Sequence, residues 1–354
     1  MSPLRSAAIL LLFAASVRAD EQGDIAEFKA RAGNITATAI SDDGQRVLTG
    51  EDDGLVTLWS VTSGTSIHNY SGHAREVFAA AMLPDGKRAV TCGDDNLLII
   101  WDLATGKRLR EIHTGDAIPV AMACSPDGTL AATGCYDGQI IVWSLADGRR
   151  VATLPHGSTL DGILYSPDGK LLAAGYLDGA AVIWDTAAWT AKHMLPADDG
   201  ASVGALAFSG DSRLLATGDQ DGDGYLWDTA TGAKVSAFGA RATPAPPPAP
   251  PVAPVFPGGV ISPDDHGAIV FLCLSPDNKM VLGSVQDNSP HFWNTANGHV
   301  LGMGDWFEDT RFYIARYGFT YTTACVTPKR DYIVTLKDNI AQVWHLTFTP
   351  NPVQ

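Results

Sequence analysis

Asp53-Gly54-Leu55-Val56-Thr57-Leu58-Trp59 is an acid, a turn residue and a short apolar run closed by tryptophan. The same Asp-x5-Trp spacing recurs at Asp95/Trp101, Asp137/Trp143, Asp178/Trp184, Asp221/Trp227, Asp287/Trp293 and Asp338/Trp344. The residue after the Asp is Gly or Asn in every copy, as in Gly54, Asn96 and Gly138. Both residues tolerate positive φ, so each copy reads as a tight turn feeding a strand. Asp53 to Asp95 is 42 residues, and a period of that length marks a repeat array.

Each unit has the same further parts. An apolar strand ends in a turn such as Ser41-Asp42-Asp43-Gly44 or Ser125-Pro126-Asp127-Gly128. Pro or Asp at the centre and Gly after it is type I hairpin chemistry. A second strand follows, then the Asp turn, the Trp strand, and a Gly turn such as Thr105-Gly106 that leads to a fourth strand. Short strands with turns every 8 to 12 residues indicate an all-β protein.

The units resemble WD repeats, and seven of them imply a seven-bladed β-propeller of four-stranded blades. The resemblance covers roughly residues 24–348. The Trp-Asp pair stands at Trp101-Asp102, Trp184-Asp185 and Trp227-Asp228, and it drifts to Trp59-Ser60, Trp143-Ser144, Trp293-Asn294 and Trp344-His345. Gly72-His73 matches the family's Gly-His pair, and His156 keeps the spacing of His73 to the next turn. In the family a buried His, Ser or Thr, Asp and Trp form a hydrogen-bonded chain within a blade. The resemblance places that chain at His73, Thr91, Asp95 and Trp101. Blade four keeps His156, Asp178 and Trp184 but has Ala174 at the hydroxyl position. A satisfied buried network rigidifies a blade, so blade two is expected to be the stiffest.

Ile25-Ala26-Glu27-Phe28 aligns with Ile67-His68-Asn69-Tyr70, and the C-terminal unit stops soon after its Trp strand. The N-terminal segment is therefore expected to supply the outer strand of the last blade and close the ring. Closure removes open sheet edges. Two junctions are long. From Trp to the next turn position the first four take 25 to 27 residues, but the last two take 50 and 36. The first surplus is Pro-rich, at about residues 242–263, and reads as an extended spacer. The second, at about 304–321, includes Trp306, Phe307 and Tyr313. Its aromatics either pack down on blades six and seven or form a platform for a protein or glycan. Both insertions belong to one rim of a propeller, beside blade six.

The chain of 354 residues carries a net charge of −15 and 45% hydrophobic residues. That balance repels nucleic acid and anionic lipid. Arg5, the apolar run Ala7 to Val17, and Val17-Arg18-Ala19 form a secretory signal peptide pattern over residues 1–19, with the mature chain at 20–354. About 11 apolar residues are too few for a membrane span. The expected location is therefore periplasmic or secreted. Cys92, Cys124, Cys135, Cys273 and Cys325 lack metal or redox spacing and read as buried thiols, although export permits disulfides.

Asp219, Asp221 and Asp223 alternate as Ca²⁺ ligands do, but the EF-hand Glu is absent and Asp221 is the turn Asp. Asp264-Asp265-His266 reads as a solvated loop. No phosphate loop, zincin helix or nucleophile elbow occurs in the sequence. The expectation is a non-catalytic, monomeric interaction scaffold with no cofactor or metal and a protein partner. The alternatives are a metal-assisted propeller hydrolase or lactonase, or a carbohydrate-binding module. By the family's spacing, the recognition rim carries Phe78, Tyr136 and Leu177 as an apolar arc. Asp52, Asp94 and Asp161 border it.

Overall fold

The computed structural model of this protein describes residues 27–30, 33–115, 117–196, 200–239, 268–275, 277–285, 290–299, 325–326, 332–337 and 340–345. The expectations for residues 1–19, for both insertions with Trp306, Phe307 and Tyr313, and for Asp264, Asp265 and His266 lie outside these. Among the described residues there is no helix, and the strands form seven antiparallel sheets. Five have four strands in chain order, as in Ile35–Ile40, Arg46–Glu51, Leu55–Ser60 and Ser66–Ser71. The sixth has three described strands, Ile269–Leu274, Met280–Val285 and Pro290–Asn294, rather than four. The seventh joins Cys325–Val326, Tyr332–Lys337 and Ile340–His345 to the N-terminal Glu27–Lys29.

The turns follow the local sequence chemistry. Gly54 and Gly138 both sit at φ +86°, and Asn96 takes the same place at φ 60°. A Cβ at Gly54 would lie 2.5 Å from the His73 carbonyl oxygen, so the position demands glycine on two counts. The Asp ahead of the turn accepts the N–H two residues on: Asp53 from Leu55 at 3.0 Å, Asp137 from Gln139 at 3.1 Å. In the fifth unit Asp221 keeps the turn position, with Gly222 N donating to Asp219 O at 3.3 Å, but the carboxylate that binds the turn N–H groups is that of Asp219, accepting from Asp221 N at 3.0 Å and Asp223 N at 2.8 Å. The Asp of the Trp-Asp pair caps the following turn. Asp102 accepts from Ala104 N, Thr105 N and the Thr105 hydroxyl, and these bonds hold its carboxyl below the usual range.

The sheets pack face to face through one repeated contact. The last aromatic or aliphatic residue of an outer strand plugs against the next unit's Trp. Tyr70 meets Trp101 at 5.5 Å between centroids, and Phe238 meets Trp293 at 5.0 Å. Phe28 meets Trp59 in the same way at 5.4 Å. Its backbone partner is Ala341, three residues before Trp344, as Val56, three before Trp59, is Tyr70's. All of these rings are buried. The first strands touch in series from Ile35–Ile40 to Ile269–Leu274, and Ile35–Ile40 also touches the three C-terminal strands of the seventh sheet.

Cys92, Cys124, Cys135 and Cys273 are free thiols. Burial pushes Cys92 upward, with Cys124 and Cys135 near enough to add to it. The same cause takes Cys124 to about 12 and Cys135 to about 11. The Cys124 thiol is enclosed although the residue as a whole is part-exposed. Thiols held protonated in this way are poor nucleophiles.

Candidate interaction rim

In each of the first six sheets the first strand begins with a β-bulge. The skipped residues are Thr36, Phe78, Val120, Asp161, Gly204 and Val270. Phe78 and Asp161, two of the rim positions marked by the family's spacing, are among them, and the bulge is the physical reason these residues differ from their neighbours. An extra residue leaves the ladder and its side chain is re-aimed. Thr36 uses this freedom to donate to the Val77 carbonyl of the next sheet at 2.7 Å. Asp161 accepts from the Ser202 hydroxyl at 2.6 Å and lies over Gly204. It is thus tied to the fifth unit rather than standing free beside the apolar arc. Phe78 is half-buried.

The second rim row is set by one backbone bond per unit. Asp52 N donates to Asn34 O, Asp94 N to Glu76 O, Tyr136 N to Ile118 O, Leu177 N to Thr159 O and Gln220 N to Ser202 O. Each bond brings the residue before a turn Asp beside the residue that precedes the first strand. Tyr136 is 67% exposed, Leu177 48% and Ile118 39%. Ile118 is a rim residue that the sequence reading missed. Its signal was the position just ahead of the Pro119 strand, which Glu76 holds in the second unit. The Thr159 hydroxyl donates to Tyr136 O at 2.9 Å and so binds the third and fourth units together at this edge.

The loops under this row are held by two histidines. In the second unit His73 Nδ1 faces both Asp95 oxygens at 3.0 Å, and Nε2 meets the Thr91 hydroxyl at 2.8 Å. Trp101 Nε1 donates to the same Thr91 oxygen at 2.8 Å. Proton accounting then assigns the ring. The Thr91 oxygen accepts the indole N–H and its own proton goes to His73 Nε2, so Nδ1 carries the ring proton toward Asp95. Burial holds His73 below its ordinary value, outweighing the pull of Asp95 toward the charged form. Asp95 also accepts from Ala74 N at 2.9 Å and Leu97 N at 3.2 Å.

The Trp-Thr half of this chain is more general than the sequence reading allowed. Trp59, Trp143 and Trp227 donate to Thr49, Thr133 and Thr217, each at 2.9 Å. The signal was a Thr ten residues before each Trp. Without a His, the hydroxyl proton turns to a backbone carbonyl, as from Thr133 to Ile141 O at 3.2 Å.

In the fourth unit His156 presents Nε2, not Nδ1, to Asp178 at 3.0 Å. Its ring stacks on Tyr176 with centroids 3.7 Å apart. Ala174 offers no hydroxyl, and the buried Trp184 N–H leans toward the Tyr176 hydroxyl without reaching hydrogen-bond geometry. Asp178 is 46% exposed in its side chain, against 7% for Asp95.

Among the described residues no three His, Cys, Asp or Glu side chains gather as a metal-holding group. The sequence model of the family described as "WD domain, G-beta repeat" matches residues 24–60, 64–102, 106–144, 148–185 and 189–228. No curated protein matches the chain.

Proposed function

Because the chain belongs to the WD domain, G-beta repeat family, whose members are mostly non-enzymatic protein-interaction scaffolds, we propose that it is itself such a scaffold, exported and monomeric. The observation that carries this reading is the rim. Three large apolar side chains, Ile118, Tyr136 and Leu177, stand exposed on rigid units at one edge. Apolar side chains held out on a stiff frame are what partner anchors require. Fold alone does not fix function, so the reading rests on this site.

The scaffold is a closed ring of seven blades in this reading, with Glu27–Lys29 as the outer strand of the last. The pairing of Phe28 with Ala341 and its packing on Trp59 support it. Phe28→Ala then costs about 3–5 kcal/mol in urea unfolding. A loss below about 1 kcal/mol speaks against closure. Export rests on Arg5 and the Ala7–Val17 run, with cleavage after Ala19. The mass of the mature protein then begins at Asp20, and a cytosolic product retaining Met1 contradicts export.

The docking reading is tested by affinity capture from the exported fraction with the native chain and with Tyr136→Ser/Leu177→Ser. Partners held by the native protein and lost by the variant, at equal thermal stability, support it. Identical captured sets contradict it.

A further inference from the structure

The rim is not uniform around its edge. In the first and second units the paired rim residues are Asn34 with Asp52 and Glu76 with Asp94. In the third and fourth they are Ile118 with Tyr136 and Thr159 with Leu177. The row therefore passes from an acidic half to an apolar half within adjacent units. The boundary is continuous. The Thr114 hydroxyl donates to Asn96 O at 3.0 Å and to Ala117 O at 3.2 Å, joining the second unit's turn to the loop that ends at Ile118.

The acidic half carries an excess of charge. Asp52 is engaged by neutral Asn34 at 2.9 and 2.8 Å. Arg75 pairs with Asp94 at 3.0 Å and is the one described cation in these rim loops. Glu76 has no cation of its own there. Its carboxyl is raised above its ordinary value first by burial, then by the charges of Asp52 and Asp94. Three carboxylates beside one guanidinium, which pairs with Asp94, leave a negative field beside an exposed apolar shelf.

We propose that this rim binds a polypeptide segment in which a lysine or arginine stands within a few residues of an aliphatic or aromatic side chain. The apolar side chain seats on Ile118, Tyr136 and Leu177, and the cation meets Asp52, Glu76 and Asp94. The inference rests on the docking reading above and adds the chemistry of the partner. Charge complementarity selects a basic segment over an acidic one, because like charges brought together at an interface are costly. The apolar shelf supplies the anchor.

The test uses the full chain and a panel of labelled 12-residue peptides. Each has a central Leu or Phe, flanked by Lys and Arg, by Asp and Glu, or by Ser. Fluorescence anisotropy is read at about 50 and about 300 mM salt, where screening separates charge from apolar contact. Basic peptides are expected to bind at least about tenfold more tightly than acidic ones at low salt. Tyr136→Ser loses about 30-fold at both salts, the size of a buried aromatic anchor. Asp52→Asn with Glu76→Gln loses several-fold at low salt and little at high salt. Glu76→Lys, a single charge reversal at a part-exposed position, checks the same point with one substitution.

If acidic or neutral peptides bind as tightly as basic ones and Tyr136→Ser still abolishes binding, the basic-partner inference fails and the docking reading stands. If no peptide of any class binds in a Tyr136-dependent way, both fall.

Discussion

The second and fourth units place a histidine at the same spacing before the same turn, yet the two rings do different things. His73 enters the interior and joins Thr91 and Trp101, whereas His156 stays at the edge, clamped between Asp178 and Tyr176. The cause is one backbone-equivalent position. Gly93 pairs with Val77 as Tyr176 pairs with Leu160, each at the start of its bulge. A Cβ at Gly93 would lie 3.2 Å from His73 Nδ1 and 2.5 Å from Glu76 O. Glycine leaves the room that the His73 ring occupies. Tyr176 occupies it in the fourth unit, and His156 stacks on the ring instead. Ala174 then removes any reason for His156 to go inward. A residue type chosen for its absent side chain thus decides whether a histidine is structural core or surface clamp.

The difference reaches the rim. The His73–Asp95 pair and the Ala74 N–H bond to Asp95 pin the loop that carries Arg75 and Glu76. The His156 loop carries Thr159, which holds Tyr136 and Leu177, but its clamp is more exposed. The acidic half of the rim is therefore fixed from within, and the apolar half from the surface.

Exchanging the deciding position is expected to have the largest effect. Gly93→Tyr overpacks the second unit and expels His73 from Thr91, costing about 4 kcal/mol or more in urea unfolding. A loss near 1 kcal/mol would mean that the ring does not need the space. Next comes the carboxylate. Asp95→Ala orphans His73 Nδ1–H and two backbone N–H groups at a buried site, for about 2–4 kcal/mol. Asp178→Ala removes a half-exposed partner, for about 1 kcal/mol or less. Equal losses at the two sites would break the comparison.

The pH dependence follows from His73. Its folded-state value lies below its ordinary 6.5, so protonation favours the unfolded chain. The stability held by the neutral ring is complete above about 6.5 and is lost as pH falls from there through the folded value. Carboxylates such as Asp43, held low first by the Ser41 hydroxyl, lose their contribution only as pH falls through still lower values. Unfolding midpoints between pH 7.5 and 5 are expected to decline in the native protein and to flatten in His73→Gln. An unchanged slope in that variant rules out His73 as the source. The smallest effect is a gain. Ala174→Ser places an oxygen where Thr49, Thr91, Thr133 and Thr217 meet their indoles, so the Trp184 N–H finds an acceptor and stability rises by about 0.5–1 kcal/mol. A loss would show that Tyr176 leaves no room for it.

Much of the fold is legible in the sequence because its parts are local. An Asp-Gly or Asp-Asn pair before an apolar run and a Trp states a turn and a strand, and the register of Phe28 with Tyr70 follows from counting. The first-row rim positions are also countable, since a bulge falls at a constant place in the first strands of the first six sheets. What counting does not give is ring direction. His73 and His156 share a spacing, but the decision between them lies in Gly93 and Tyr176, which reach them across strands. Ile118 escaped for a related reason. Its exposure depends on a backbone bond to Tyr136, eighteen residues away. The fifth unit's turn shows the same limit, because Asp219 and Asp221 are both suitable acids and only the backbone geometry chooses between them.

The tautomers of the two histidines test the comparison most directly. Long-range ¹H–¹⁵N correlation spectra of the imidazoles, recorded at pH 8 with His73→Gln and His156→Gln for assignment, report which nitrogen bears the proton. The expected result is opposite tautomers, Nδ1–H for His73 facing Asp95 and Nε2–H for His156 facing Asp178. Finding His73 protonated at Nε2, or both rings in the same tautomer, would contradict the assignment of one histidine to the interior chain and the other to the surface clamp.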